Sequence, residues 1–498
     1  MNTVKFLPNK LSRKIPYLYA KNNHVCIYGI NDDKLLLAVS GSVKPNIISE
    51  IKRKLNMPID ITRIEARQFD TLLSEAYSSS NAAAIVDDVQ GDIDISDLIQ
   101  NLPKSSDLLE TENDAPVIRI INAFLTQAVK ENASDIHLDA YEKMSLVRFR
   151  VDGVLRTIVE LQSGLHAALV SRIKIMAQMD IAEKRLPQDG RIPLRLAGRE
   201  VDLRVSTIPT GHGERVVMRL LDKNKDRLQL EVLGLEKTIL EGVNNLVHRP
   251  HGIFLVTGPT GSGKSTTLYA ALARLDNTEL NIMTVEDPVE YDIQGISQTQ
   301  VNAKIDMTFS RALRAILRQD PDVVMIGEIR DLDTTQIAVQ ASLTGHLVLA
   351  TLHTNTAAAT ITRLLDMGVE SFLLSSTLIG VLAQRLIRKL CNGCKIQNNV
   401  ITDEQRKEFG LTKEDIIFSP NGCETCNHLG YLGRTGIHEL LIVDDEIQKM
   451  IHSAVSEKEI EKYAVTKLGM KRLRDSAINL VKQGVTSIEE VTSITTES

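Results

Sequence analysis

Tryptophan is missing from this chain, and all aromatic residues together make up 4% of its 498 residues. That shortage argues against the stacking platforms on which proteins hold single-stranded nucleic acid. Positive charge is not in excess either: 58 Lys and Arg stand against 64 Asp and Glu, a net charge of −6. Neutralising a polyanion needs clustered surplus cations, so no nucleic-acid partner is expected. Long apolar runs are absent, none approaching the roughly 18 residues of a membrane span. The first thirty residues scatter Lys5, Lys10, Arg13, Lys14 and Lys21 among polar neighbours and lack a signal-peptide core. The expectation is a cytoplasmic protein. Any membrane attachment runs through a protein partner, because neither a basic amphipathic helix nor a lipidation motif is visible.

The most informative stretch is Gly258-Pro259-Thr260-Gly261-Ser262-Gly263-Lys264-Ser265-Thr266, directly after the apolar run Ile253 to Val256. It fits G-x-x-x-x-G-K-[ST], a loop whose successive backbone N–H groups wrap a polyphosphate. Lys264 is placed for the β- and γ-phosphates and Ser265 for Mg²⁺. A buried-strand signal before the loop and a helix expected from Thr266 to Leu275 supply the setting the motif requires, the helix dipole adding its own attraction for phosphate. The chain is expected to bind a nucleoside triphosphate with Mg²⁺.

Length and composition suggest about three or more domains of ordinary globular character. Residues 1–78 read as a small α+β domain, for docking or else a purely structural cap: His24 to Tyr28 and Lys34 to Val39 have strand character around Asn31-Asp32-Asp33, and Pro45 to Leu55 and Ala66 to Tyr77 have helical spacing. Residues 79–114 carry nine acidic residues against the single Lys104 and read as a flexible acidic linker. Residues 115–235 form an Arg-rich α+β domain. It starts with an amphipathic helix over Pro116 to Val129, followed by a strand that puts Val147, Phe149 and Val151 on one face and Arg148 and Arg150 on the other, before an Asp152-Gly153 turn. A second hairpin pairs Val201 to Ser206 with Arg215 to Leu220. Residues 236–390 alternate strands and helices as a parallel-sheet motor core. Residues 391–426 hold four cysteines, and residues 427–498 read as a helical region with a pattern from Glu439 to Ile451.

A P-loop site needs a carboxylate for Mg²⁺, one that orients the attacking water, and cations that meet transition-state charge. Three stretches offer them. Ile282 to Val285 is a strand ending in Glu286-Asp287-Pro288, with Glu290 just beyond. Asp322 to Ile326 is an apolar strand leading through Gly327 to Glu328, in the manner of a Walker B element, with Gly327 where an Asp often stands. His346 and His353 bracket the apolar strand Leu347 to Leu352, and His353 falls at its C-terminal edge, where open α/β sheets bind ligands. Acidic residues at strand ends also serve as caps and turn formers, and a lone His is usually a satisfied core or surface residue. Arg311, Arg314 and Arg318 recur at helical spacing, which by itself reads as a solvated face. Arg204, Arg215 and Arg219 offer cations from the preceding domain.

Cys391-x-x-Cys394 and Cys423-x-x-Cys426 make two chelating knuckles, and four thiolates at this spacing fit structural Zn²⁺ with no open position for water. The fifth cysteine, Cys26, lies in an apolar run and reads as a buried small hydrophobe.

These segments together, Gly258 to Thr266, Val285 to Glu290, Leu317 to Asp322, Gly327 to Arg330, Ala341 to His346 and Thr351 to Thr354, strongly resemble the secretion ATPase superfamily of bacterial type II secretion and type IV pilus systems. The resemblance covers residues 115–498, and Glu183 to Arg191 belongs to the same pattern. The cysteine knuckles and the stretch Gly433 to Leu440 look most like the assembly ATPases of type II secretion. Pilus assembly ATPases share the cysteine lobe and stand as the alternative, with a DNA translocase behind them. The resemblance implies a RecA-like core and a homo-hexamer on the cytoplasmic face of the inner membrane. ATP is then expected between the Arg-rich domain and the core, its hydrolysis driving pseudopilus assembly and export of folded proteins. By motif position Glu286 and Glu290 fall in an Asp box, Glu328 in Walker B and His346 and His353 in a His box, while Arg204 and Arg219 match charge-neutralising arginines. Gly327 is normal for the family. The first domain is expected to dock onto an inner-membrane platform protein. Between Glu286 and Glu328, the residues leave open which one orients the water.

Overall fold

The computed structural model describes residues 15, 20, 23–31, 34–41, 43, 45–55, 57–65, 68–69, 72, 115–196, 199–222, 228–398 and 400–495. The acidic linker expected at 79–114 lies outside the described residues, as does most of the helix expected from Ala66 to Tyr77. The chain divides into two compact units, Met1–Lys223 and Asn224–Ser498.

In the first unit, β1 (Val25–Asn31) pairs antiparallel with β2 (Lys34–Ser40). Helix α1 (Pro45–Leu55) then carries the chain to β3 (Ile59–Ile64), which lies parallel to β2. Ile47 and Ile51, one turn apart, put the buried stripe of α1 toward the core, and Lys52, Arg53 and Lys54 sit at its C-terminal end, where the dipole favours cations. Cys26 is fully buried there, and burial pushes its thiol up to about 12, as expected for an inert hydrophobe.

The same unit contains a six-stranded antiparallel sheet of order β6-β5-β4-β9-β8-β7. Its helix α2 (Ala115–Lys130) buries Val117, Ile120, Ile121, Phe124, Leu125 and Ala128, spaced three or four apart, against the sheet. Strands β4 (Asp135–Ala140), β5 (Met144–Val151) and β6 (Val154–Gln162) lead to helix α3 (Ser163–Met176). Strands β7 (Gln188–Leu196), β8 (Arg199–Thr210) and β9 (Gly213–Asp222) follow. The alternation read in β5 is present, with Val147, Phe149 and Val151 buried and the arginines between them on the opposite face. The β8–β9 hairpin sets Arg204 directly opposite Arg219.

The second unit is built on a seven-stranded sheet of order β12-β11-β13-β14-β10-β15-β18, parallel throughout except for β18. Helix α4 (Lys237–Val247) precedes β10 (Gly252–Thr257), and α5 (Lys264–Leu272) follows it. Next come β11 (Ile282–Glu286), β12 (Ser297–Gln300), α6 (Phe309–Ile316), β13 (Val323–Ile326), α7 (Leu332–Leu343) and β14 (Leu347–Leu352). Helices α8 (Ala357–Asp366) and α9 (Ser371–Thr377) lead into the long strand β15 (Leu378–Leu390). β10 and β14 are buried at every position, which is why they read as continuous apolar runs rather than alternating ones. Leu228 and Leu230 also pack into this unit's core.

Beyond β15, β16 (Ile396–Gln397), α10 (Asp403–Glu408) and β17 (Phe418–Ser419) make up the cysteine segment. The end of the chain holds β18 (Tyr431–Ile442), α11 (Asp445–His452), α12 (Glu457–Lys467), α13 (Leu473–Lys482) and α14 (Ile488–Thr495). The helical pattern expected from Glu439 begins only at Asp445, because Glu439 belongs to β18, the antiparallel partner of β15. The apolar spacing of Ile437, Leu441, Ile447 and Ile451 mimics a helix, but the first two are buried strand positions. Glu439, buried itself, accepts the N–H of Ala357 at the start of α8 and of Leu473 at the start of α13.

Candidate nucleotide and metal sites

The phosphate-binding motif occupies the turn between β10, flanked by β14 and β15, and α5. Left-handed backbone at Gly261 (φ 80°) and Gly263 (φ 88°) lets the loop curl so that the helix starts at Lys264, two residues earlier than expected. Lys264 Nζ donates to the main-chain oxygens of Gly258 at 2.8 Å and Pro259 at 3.1 Å, and lies 3.4 Å from Nδ1 of His353. Burial pushes its amine down to about 8, against the pull of Glu328. Ser265 is exposed at the head of the helix, and Ser262 Oγ is buried with no partner. An unsatisfied buried hydroxyl, a buried amine and a helix N-terminus form a donor set that fits a Mg²⁺-bound triphosphate.

The two candidate carboxylates have different surroundings. Glu286 ends β11 and is 4% exposed; it accepts from Tyr269 of α5, from Thr284 Oγ1 at 2.5 Å and from Gln298 Nε2 at 3.0 Å. Glu328 follows β13, pairs with Arg330, and lies 3.5 Å from His353 Nε2. Because an ammonium can only donate, Nδ1 of His353 accepts from Lys264, which leaves its Nε2–H turned to Glu328. Gly327 lets the end of β11 approach closely: a Cβ there would sit 3.3 Å from Glu286 Cα and from Val285 O on that strand.

His346 stays apart from this group. It sits at the other end of β14, where its Nδ1 lies 2.8 Å from the oxygen of Ala341. Arg311 pairs with Asp306 and Arg314 with Asp333 on an exposed face of α6, the solvated arrangement their spacing suggests. The roles of Tyr269 and Gln298 were not apparent from sequence, since no motif spacing links them to Glu286, whereas Arg330 stands in the same Gly327 to Arg330 stretch as its partner Glu328.

On the first unit, Arg191, Arg204 and Arg219 stand in one row across β7, β8 and β9. With Asp189 and Ser206 they line a groove of about 400 Å³. Arg219 Nε donates to Asp135 Oδ1 at 2.8 Å, and Arg215 pairs with Asp139 at 2.9 Å. Like charges opposite each other in a sheet are costly unless an anion answers them. Arg191 joins Arg204 and Arg219, two of the three arginines that sequence singled out, while Arg215 is not among the groove's lining residues; the place of Arg191 inside the Glu183 to Arg191 motif was the available signal.

The four cysteine sulfurs of Cys391, Cys394, Cys423 and Cys426 lie within 4.8 Å of one another. Cys391–Cys423, Cys394–Cys426 and Cys423–Cys426 are separated by 3.9, 3.7 and 3.7 Å. Tetrahedral Zn–S bonds of about 2.3 Å require sulfurs about 3.8 Å apart. Backbone N–H groups of Gly422, Cys423 and Gly430 point at the sulfurs of Cys394, Cys426 and Cys426. Burial raises the Cys426 thiol, but the N–H groups of Cys423 and Gly430 outweigh it and bring it down to about 6. The set fits a tetrahedral thiophilic cation.

A RecA-like sheet with its phosphate loop, terminal carboxylates and His at the strand ends defines a P-loop nucleotide-hydrolase core. Residues 110–493 match the family described as type II/IV secretion system protein, and residues 14–77 match an N-terminal domain of GSPII protein E. The chain belongs to this secretion ATPase family. It is 54% identical to the type II secretion system protein HxcR of Pseudomonas aeruginosa, over 97% of this chain and 99% of that one. It is 52% identical to the type II secretion system ATPase E of Vibrio cholerae, over 98% and 97%. Among solved structures, the pilus retraction motor PilT with bound ADP aligns with TM-score 0.52 at 28% identity, covering 75% of this chain and 96% of PilT. The Legionella pneumophila ATPase DotB aligns with TM-score 0.57 at 20% identity over 76% and 96%, a likeness of fold. Among the described residues, no helix is long and apolar enough to cross a membrane.

Proposed function

We propose that this chain hydrolyses ATP with Mg²⁺ as the cytoplasmic motor of a type II secretion system, driving pseudopilus assembly and the export of folded proteins. The observation that carries the reading is the line from Lys264 through His353 to Glu328 at the C-terminal ends of the parallel strands. In this reading the loop's N–H groups and Lys264 hold the phosphates, Ser265 holds Mg²⁺, and Glu328 orients the attacking water while His353 senses the γ-phosphate. Glu286, spent on three hydrogen bonds, is a positioning residue that fixes the end of β11. Arg204 and Arg219 neutralise phosphate charge in the working assembly, a homo-hexamer. The tetracysteine set holds structural Zn²⁺, whose closed shell supplies folding energy and no chemistry. The N-terminal domain docks the motor on inner-membrane platform proteins, which makes it peripheral to the cytoplasmic face of that membrane.

The test is ATPase rate measured against oligomer size, with and without Lys264→Ala. The rate is expected to rise with assembly and to fall about 10²–10³-fold in the variant. A rate indifferent to Lys264 would sink the reading.

A further inference from the structure

Gln384 sits within β15, 122 residues beyond Ser262 in sequence, and is 2% exposed. Its Nε2 donates to the main-chain oxygen of Ser262 at 2.7 Å, and its Oε1 accepts from Thr267 Oγ1 at 2.8 Å. The amide is thus held at both ends, and the Ser262 carbonyl, which can only accept, fixes which end faces the loop. The Gln384 backbone closes in from the same side: a Cβ on Gly258 would stand 2.3 Å from its carbonyl oxygen, and one on Gly263 3.3 Å from its Nε2.

Peptide planarity points the carbonyl of Ser262 and the N–H of Gly263 in opposite directions. With the carbonyl tied to Gln384, the N–H of Gly263 faces away from β15, toward the side of the loop that phosphates enter. We infer that Gln384 is a positioning residue of the phosphate-binding loop, locking the Ser262–Gly263 peptide so that the Gly263 N–H is a preset donor to the nucleotide's phosphates. This rests on the ATP-binding reading above. Glutamine suits the position chemically, since it donates to a carbonyl and accepts from a hydroxyl at once. A glutamate there cannot donate and sets an anion behind the phosphates.

The experiment uses the full chain, fluorescent ADP with Mg²⁺, and the melting midpoint with and without ADP. Wild type binds and Lys264→Ala does not; a wild type that fails to bind removes the ATP-binding reading itself. Gln384→Leu is expected to weaken ADP about 10-fold, the usual consequence of losing a hydrogen bond that presets a charged contact, and Gln384→Glu to weaken it further. A positioning role shrinks the ADP-induced rise in midpoint, whereas a merely structural one lowers the midpoint without ADP and leaves that rise intact. The second outcome overturns the inference while leaving the ATP-binding reading standing, as does a Gln384→Leu protein that binds ADP like wild type. Should Gln384→Leu not fold, Thr267→Val keeps the Gln384 bond to Ser262 but removes the hydroxyl that holds the far end of the amide, together with its longer 3.3 Å contact to the Gly263 oxygen. It is expected to weaken ADP about threefold, and unchanged affinity there overturns the inference equally.

Discussion

The phosphate loop and the tetracysteine lobe present their ligands with opposite economies of structure. The loop binds through main chain and is set by what lies beneath it: β10 and β14 are buried at every position, and Gln384 braces it from β15. The lobe binds through four side chains carried on a segment whose strands, β16 and β17, are two residues long. Its apolar residues Phe409, Leu411 and Ile417 join the motor's core rather than forming one of their own. One site is therefore preorganised by the fold, while the other, on the reading proposed above, would be organised by the ion its four thiolates fit.

The largest expected effect separates these two. Removing the metal with a chelator, or changing Cys426→Ser, is expected to unfold residues 391–426, because structural thiolate sites contribute about 10–16 kcal/mol of apparent binding energy. Bound zinc measured with proteolytic mapping checks it, with cleavage confined to the lobe. A lobe that stays protected without metal would remove the contrast. The converse is Lys264→Ala, expected to cost about 10²–10³ in ATP turnover while zinc content stays at wild-type level.

Within the motor core the comparison narrows to two carboxylates. Glu328→Gln is expected to lower single-turnover hydrolysis about 10²-fold while nucleotide binding persists. Glu286→Gln leaves one acceptor, either for Tyr269 or for Thr284 and Gln298, which share Oε1, and turns an amide NH2 on the other side, so it is expected to cost about 1–3 kcal/mol of stability and a smaller part of the rate. Equal catalytic losses with unchanged melting in both would return the two residues to a shared role.

That ranking shows what was legible in the chain. The phosphate loop and the cysteine knuckles are local patterns, with spacing that already contains their geometry. Strand positions of Val147, Phe149 and Val151 were legible for the same reason. Glu286 and Glu328 were indistinguishable, because the difference lies in Tyr269 and Gln298, brought in by folding from other elements. Gln384 was silent, since its partners are 117 and 122 residues away. Glu439 was misread as helical because buried apolar residues on a strand and on the helix after it can imitate a single 3.6-residue period.

The smallest effect, pH dependence, carries opposite signs at the two sites. Lys264 titrates near 8 in the folded chain against 10.5 for an ordinary lysine. Between those values the unfolded chain holds more protons, so folding stability without nucleotide rises with pH across that window. Nucleotide affinity moves the other way: phosphates favour the ammonium, so above about pH 8 binding must draw in a proton, and affinity falls by up to about tenfold per pH unit. At the lobe, protons compete with the cation for thiolates, so its metal affinity falls on acidification instead. Calorimetric titration of Mg-ADP at pH 8.5 in buffers of different ionisation enthalpy is expected to show proton uptake, and at pH 7 almost none. Uptake absent at both values would mean that the amine keeps its ordinary basicity, and that the carbonyls of Gly258 and Pro259 with Glu328 fully offset its burial.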